Sequence, residues 1–156
     1  MGDCKLSKIQ PQKPSSCICI NVRRTSRAIT KIYDQALEAS GLKLTQFSLL
    51  MQIDAHGPLN ISALARLTTL DRTTLVRNLK LMEAEGFIEN TPTDSPRERQ
   101  VGITEHGRRT IGQTLPQWKS VQRLIKKHVD PESLNALNNA LTVLELLAAG
   151  GAEMAA

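Results

Sequence analysis

The chain has 156 residues, of which 40% are hydrophobic and only 3% aromatic. This length suits a single domain with a core of aliphatic side chains, and the shortage of rings argues against stacking on single-stranded bases. The net charge of +5 is concentrated at one end, because residues 1–33 carry seven lysines and arginines against one acidic residue, a sum of +6. The rest of the chain sums to −1, so overall basicity does not locate a nucleic-acid site.

The small number of cysteines and the absence of a targeting signal predict a cytoplasmic protein. Cys4, Cys17 and Cys19 are too few for a secreted disulfide framework, and their number is odd. No signal-peptide pattern and no membrane-spanning apolar run is present, so we expect no membrane partner. The three histidines are scattered and no phosphate-binding loop occurs, which predicts no enzyme activity, no metal and no cofactor.

The first half of the chain reads as a polar arm followed by helices. Residues 1–15 have little to bury and are expected to form a flexible basic arm. Helical spacing of apolar residues predicts a first helix over 16–39, with Gly41 ending it. A second helix is expected to begin at Thr45, as its cap, and to end at 56–58, where histidine, glycine and proline follow one another. A short helix is predicted over 62–68.

The next helix carries the strongest local signals. Asp71 is placed to cap it, and Gly86 is placed to end it. At 100° per residue, Leu75, Leu79 and Met82 fall on one side of this helix, and hydroxyls and cations fall on the other. Residues 87–92 and 99–103 alternate like strands around a turn-forming cluster, which predicts a hairpin.

Two further helices close the chain. Thr104 is expected to cap a long helix that reaches about His128, and Pro116 inside it should kink or interrupt it. Asp130 and Pro131 give the pattern of a last helix, followed by a frayed tail over 150–156. That helix has more leucines than the cover of a small core needs, which favours a dimer; the simpler interpretation is that it covers the monomer core.

This order of elements is that of a winged helix-turn-helix, a mainly α fold with a two-stranded β-wing. Such a fold inserts its second helix into the major groove of double-stranded DNA. Arg77 is placed to read guanine, and arginines of the wing are placed to enter the minor groove. The predicted DNA contacts are Arg72, Thr73, Thr74, Arg77, Asn78, Lys80, Arg97 and Arg99. The alternative is an ordinary solvated helix face with a mixed-charge surface hairpin.

Residues 61–107 resemble the MarR family of winged-helix regulators. The matching segments are 62–65 (SALA), 71–79 (DRTTLVRNL), 81–88 (LMEAEGFI) and 103–107 (ITEHG), with 33–37 and 41–47 upstream. The resemblance implies a homodimer with long N- and C-terminal dimerisation helices (16–44 and 108–149) and a DNA-binding lobe (45–107). It also implies a pseudo-palindromic operator and repression of nearby genes. The wing has fewer consecutive basic residues than many members, so Arg99 is a weaker candidate than Arg97.

Two switching mechanisms remain open. The resemblance implies a small aromatic or phenolic effector, with Arg23, Arg24 or Arg27 meeting a carboxylate and Tyr33 or Trp118 forming a wall. The alternative is thiol oxidation at Cys17 or Cys19, which nearby arginines would favour as thiolates. A disulfide between them is not expected within one regular helix, because positions two apart do not face each other. The simpler interpretation is solvated arginines, a tryptophan in the dimer core and small buried cysteines. An alternative of another class is a winged-helix protein-interaction module without sequence-specific DNA binding.

Overall fold

The computed structural model describes residues 13–68, 70–92 and 100–149. In these ranges the chain forms six α-helices and three short strands, the winged helix-turn-helix architecture that the sequence predicts. The elements are α1 (Ile18–Leu37), α2 (Leu44–His56), β1 (Leu59–Asn60), α3 (Ile61–Thr68), α4 (Arg72–Ala84), β2 (Ile88–Thr91), β3 (Gln100–Ile103), α5 (Glu105–His128) and α6 (Pro131–Ala149).

The first helix is shorter than predicted at both ends. Cys17 precedes α1 with extended backbone, and a 3₁₀ turn, Glu38–Ser40, follows it. Gly41 ends this turn as expected, with a φ of 72° that a side chain would disfavour.

The prediction that Thr45 caps α2 was wrong. The helix begins one residue earlier, at Leu44, whose N–H donates to Asp34 Oδ1 of α1 at 2.7 Å. Gln46 Oε1 accepts from the N–H of Lys43 at 2.9 Å. The start of α2 is therefore fixed by a carboxylate ten residues upstream, which local spacing does not reveal.

The sheet has three strands, one more than predicted. β3 lies between β1 and β2 and is antiparallel to both, with Leu59 opposite Val101 and Ile88 opposite Ile103. A strand of two residues has no period to detect, so β1 is defined only by its pairing. The first wing strand starts one residue later than expected, at Ile88, and the second is described from Gln100 onwards. Residues 93–99, which include the predicted turn cluster, lie outside the described residues.

Of the two outcomes predicted at Pro116, a kink or an interruption, the interruption is wrong, because α5 is continuous from Glu105 to His128. The caps at the starts of α5 and α6 are as predicted: Thr104 Oγ1 accepts from the N–H of Gly107 at 3.0 Å, and Asp130 Oδ1 accepts from that of Ser133 at 2.8 Å. No residue of α6 between 131 and 148 is buried.

One apolar cluster joins the helices to the wing. Each aliphatic side chain buried in it contributes about 1.5–3 kcal/mol. The buried members of this cluster are Leu37, Leu42, Phe47, Leu49, Leu50, Ile53, Leu64, Leu75, Leu79, Met82, Phe87, Ile88, Val101, Ile103 and Ile111.

None of the described helices is both long and apolar enough to cross a membrane.

Candidate nucleic-acid interface

Helix α4 is held in the molecule by one face. Leu75, Leu79 and Met82 are buried in the core, which confirms the side predicted to pack. The opposite face is solvent-exposed, and α3 packs beside α4 in the helix-turn-helix arrangement. Because the buried face fixes the rotation of α4, it also decides which side chains reach outward. The exposed polar residues of α4 are Arg72, Thr73, Arg77, Lys80 and Glu83, and the carboxylate of Glu83 accepts a hydrogen bond from Asn90 Nδ2.

The N-terminus of α4 is capped as predicted. Asp71 Oδ1 accepts from the N–H of Thr74 at 2.8 Å. The hydroxyl of Thr74 and then its backbone N–H lower the pKa of Asp71, so this carboxylate is ionised at neutral pH. A negative charge therefore already lies at the positive end of α4 and offsets the attraction of this end for a second anion.

The other two predicted contacts on α4 are less available. Thr74 and Asn78 are half-buried, and Asn78 Nδ2 donates to the carbonyl of Thr74 at 2.8 Å. One amide donor of Asn78 is thus used within the helix, which leaves the second donor and the carbonyl oxygen.

The cations on this face are not neutralised within the described part of the chain. There, no ion pair involves Arg72, Arg77 or Lys80. Arg66, in the last turn of α3, is a further exposed cation that was not among the predicted contacts. The predicted wing contacts, Arg97 and Arg99, lie outside the described residues, although the strands that support them are present.

The residues predicted to bind a ligand lie in several places. Tyr33 is buried and its hydroxyl accepts a hydrogen bond from Gln122 Nε2. Burial raises the pKa of Tyr33, and the bond to Gln122 opposes that shift. Trp118 is half-buried, with its ring centroid 6.5 Å from that of Phe47. The rings of Phe47 and Trp118 line a mostly apolar cavity of about 180 Å³. The other lining residues are Leu44, Ser48, Met51, Gln52 and Leu115.

The arginines of α1 are not part of that cavity. Arg23 and Arg27 are exposed, and Arg27 Nε donates to the carbonyl of Arg23 at 3.3 Å. Arg27 lines a separate polar groove with Lys31, Asp34 and Lys43. Within one protomer, Arg27 and Trp118 therefore line different cavities.

Both candidate redox residues are exposed free thiols. Cys17 precedes α1 in extended conformation, whereas Cys19 lies in its first turn. The argument against a bond between them assumed one regular helix, and the position of Cys17 removes that assumption.

Comparison with known proteins identifies the class of protein. A family model described as MarR family matches residues 40–97. The transcriptional regulator MosR of M. tuberculosis, solved in complex with DNA, is 32% identical; the match covers 83% of this chain and 97% of MosR, with a TM-score of 0.73. The chain belongs to the MarR family of winged-helix transcriptional regulators.

Two further proteins are similar to this MarR-family regulator. The HTH-type transcriptional regulator SarZ of Staphylococcus haemolyticus is 31% identical over 94 residues. That alignment covers 60% of this chain and only 64% of the length of SarZ. A mutant MarR of E. coli complexed with operator DNA shares the fold, with a TM-score of 0.76 at 16% identity, over 81% of this chain and 92% of that one.

Proposed function

We propose that this MarR-family regulator represses transcription by binding a pseudo-palindromic operator as a homodimer, with α4 of each protomer in the major groove. The observation that carries the proposal is the division of α4 into a fully buried apolar face and an exposed face with Arg72, Thr73, Arg77 and Lys80. Arginine presents two parallel donors that match the O6 and N7 acceptors of guanine. The complex of its relative MosR with DNA supports the same use of the fold.

Dimerisation is supported by apolar surface that the protomer leaves uncovered. In α6, Leu137, Val143, Leu144, Leu146 and Leu147 are 41–65% exposed, and Ile18 and Ile20 near the start of α1 are 58% and 55% exposed. Apolar side chains clustered in this way on a monomer mark an interaction surface. A second copy is the occupant that the function requires, because two recognition helices about 34 Å apart read two half-sites on one face of DNA.

The dimer proposal has a direct test. Leu144→Glu introduces a charge into the apolar surface of α6, and we expect it to shift the protein from dimer to monomer in sedimentation equilibrium. Leu67→Glu, on the exposed side of α3, is the matched control and should leave the dimer intact.

DNA recognition is tested with Arg77→Ala. We expect a loss of about 1–3 kcal/mol, or roughly 5- to 150-fold in affinity, on the duplex that the wild-type protein selects from host genomic fragments. Arg123→Ala removes an exposed arginine from α5 and should have little effect. Equal affinities of the two variants would contradict the assignment of Arg77. A wild-type protein without salt-dependent, sequence-selective binding would instead favour a protein-interaction module.

For control of binding, we propose that a small aromatic or phenolic ligand occupies the cavity beside Trp118 and releases the operator. The support is a lining that is mostly apolar, with the rings of Phe47 and Trp118 and the polar side chains of Ser48 and Gln52. This combination of aromatic walls with few polar groups is typical of small-molecule sites.

Exposure of both thiols supports thiol oxidation as a second candidate. A peroxide titration of operator binding tests it, with Cys17→Ser and Cys19→Ser as variants. We expect peroxide to weaken binding by the wild-type protein and not by the variant that lacks the reactive thiol. Unchanged wild-type binding under peroxide would exclude this candidate.

A further inference from the structure

The C-terminal end of the recognition helix is fixed by its own backbone. Phe87 N–H donates to the carbonyl of Met82 at 2.9 Å, and Gly86 N–H donates to that of Glu83 at 3.0 Å. With Gly86 at a φ of 72°, these two bonds form a Schellman motif, the glycine-dependent end of an α-helix. The peptide units of Gly86 and Phe87 therefore move with α4.

The same two peptide units are bonded to the start of α5. The N–H of Thr104 donates to the carbonyl of Phe87 at 3.1 Å, and Thr104 Oγ1 donates to that of Gly86 at 2.7 Å. Thr104 Oγ1 also accepts from the N–H of Gly107, so one hydroxyl caps α5 and ties it to the end of α4. A continuous set of hydrogen bonds thus links the last turn of the recognition helix to the first turn of α5.

Gly107 allows the two elements to approach this closely. A Cβ atom at this position would lie 2.2 Å from the carbonyl oxygen of Phe87 and 2.8 Å from Ile103 Cγ1, whereas ordinary contacts begin at 3.4 Å. Any side chain would push the Phe87 backbone away from α5 by about 1 Å. Glycine is otherwise unfavourable inside a helix, so its presence here is explained by the contact. The ring of His106 stacks on that of Phe87, with centroids 5.1 Å apart.

We infer that Gly86, Phe87, Thr104 and Gly107 form a joint that sets the angle between α4 and α5. This inference rests on the proposed dimeric function. Because α5 belongs to the dimerisation region, the angle at the joint determines how far apart the two recognition helices lie. Helix α4 is about 20 Å long, so a tilt of roughly 5° at one end displaces the other by about 2 Å. Thr104 and Gly107 are positioning residues: they set the half-site spacing that the dimer reads.

The first test compares two glycines of α5. Gly107→Ala and Gly112→Ala both place a better helix former in the same helix, but a Cβ at Gly112 meets no atom within 4 Å. The probes are duplexes with two copies of the half-site that the wild-type protein selects, at the selected spacing and at spacings one or two base pairs longer or shorter. A duplex with a single half-site reports the contacts of α4 alone.

We expect Gly107→Ala to bind the selected spacing at least about tenfold more weakly, with its preference shifted or lost, and the single half-site within about threefold of wild type. Gly112→Ala should match the wild-type protein on all probes. Loss of affinity on all duplexes in equal proportion, or identical behaviour of the two variants, would overturn the inference. Absence of any spacing preference in the wild-type protein would overturn the proposed dimeric function instead.

A second pair of variants removes the possibility that Gly107→Ala only disturbs folding. Thr104→Asp keeps an acceptor that caps α5 but removes the donor to Gly86, whereas Thr104→Ser keeps both. We expect the serine variant to retain the wild-type spacing preference and the aspartate variant to lose it, with equal helicity by circular dichroism. An aspartate variant that reads the wild-type spacing with wild-type affinity would overturn the role of Thr104.

Discussion

The proposed recognition of DNA depends on the rotation of α4 about its own axis, and two leucines on this helix test that rotation. Leu75 is fully buried, whereas Leu81, six residues later, is 51% exposed. The same substitution, leucine to alanine, therefore has very different consequences at the two positions. If α4 were rotated so that its buried and exposed faces were exchanged, the order of the two effects would be reversed.

The expected sizes follow from burial. Leu75→Ala removes buried methyl groups and leaves a cavity, which costs about 2–5 kcal/mol of the free energy of unfolding. Leu81→Ala removes no core contact, so its effect should stay within about 0.5 kcal/mol. For a chain of this size, the first change lowers the melting temperature by roughly 5–15 °C.

Urea denaturation followed by far-ultraviolet circular dichroism measures both variants, at one protein concentration because dimerisation contributes to stability. Equal effects of the two substitutions, or a larger effect at Leu81, would refute the assigned rotation of α4. The assignment of Arg77 to the solvent-exposed face of α4 would then be wrong.

Three further predictions concern the cap, a buried tyrosine and the aromatic cavity. Because hydrogen bonds from Thr74 lower the pKa of Asp71, its ionised form stabilises the folded state above the usual carboxyl pKa of about 3.9, and this contribution is lost as the pH falls through the lower folded value. Titration by NMR should report the lowered pKa, and Thr74→Val should move it back towards the usual value. Burial raises the pKa of Tyr33, so its neutral form stabilises the fold below about pH 10, and this contribution is lost at more alkaline pH. Tyr33→Phe should remove the part of the alkaline unfolding that is caused by ionisation of Tyr33, as measured by circular dichroism. Trp118 is the only tryptophan, so binding of benzoate or phenol in the cavity beside it should quench the intrinsic fluorescence of the protein. Phe47→Ala should weaken this quenching, because Phe47 lies beside Trp118. Fluorescence that does not change during the titration would argue against this cavity.

Features defined by neighbouring residues were predictable from sequence. Asp71, Thr104 and Asp130 cap helices through bonds to residues three positions ahead, so spacing alone identified them. The buried face of α4 followed from its helical period. The division of α4 into a face that packs and a polar face that stays exposed could therefore be predicted from the sequence.

Features that depend on residues distant in the sequence could not be predicted from local spacing. The start of α2 depends on Asp34, and β1 exists only through its pairing with β3. Pro116 does not interrupt α5, which has buried residues on both sides of it, Thr114 and Val121. The separation of Arg27 from Trp118 likewise depends on how α1 packs, which the spacing of neither residue encodes.

The exposed state of α6 links the amount of protein to its activity. Most of the stability of a helix in a protein comes from tertiary packing, and no residue of α6 between 131 and 148 is buried in its own protomer. In the proposed dimer, the folding of α6 therefore depends on contacts with the partner protomer. Dilution below the dimer dissociation constant would both unfold α6 and separate the two recognition helices. Occupancy of an operator would then fall with the square of the protein concentration, so a modest change in copy number would act as a threshold for the regulated gene.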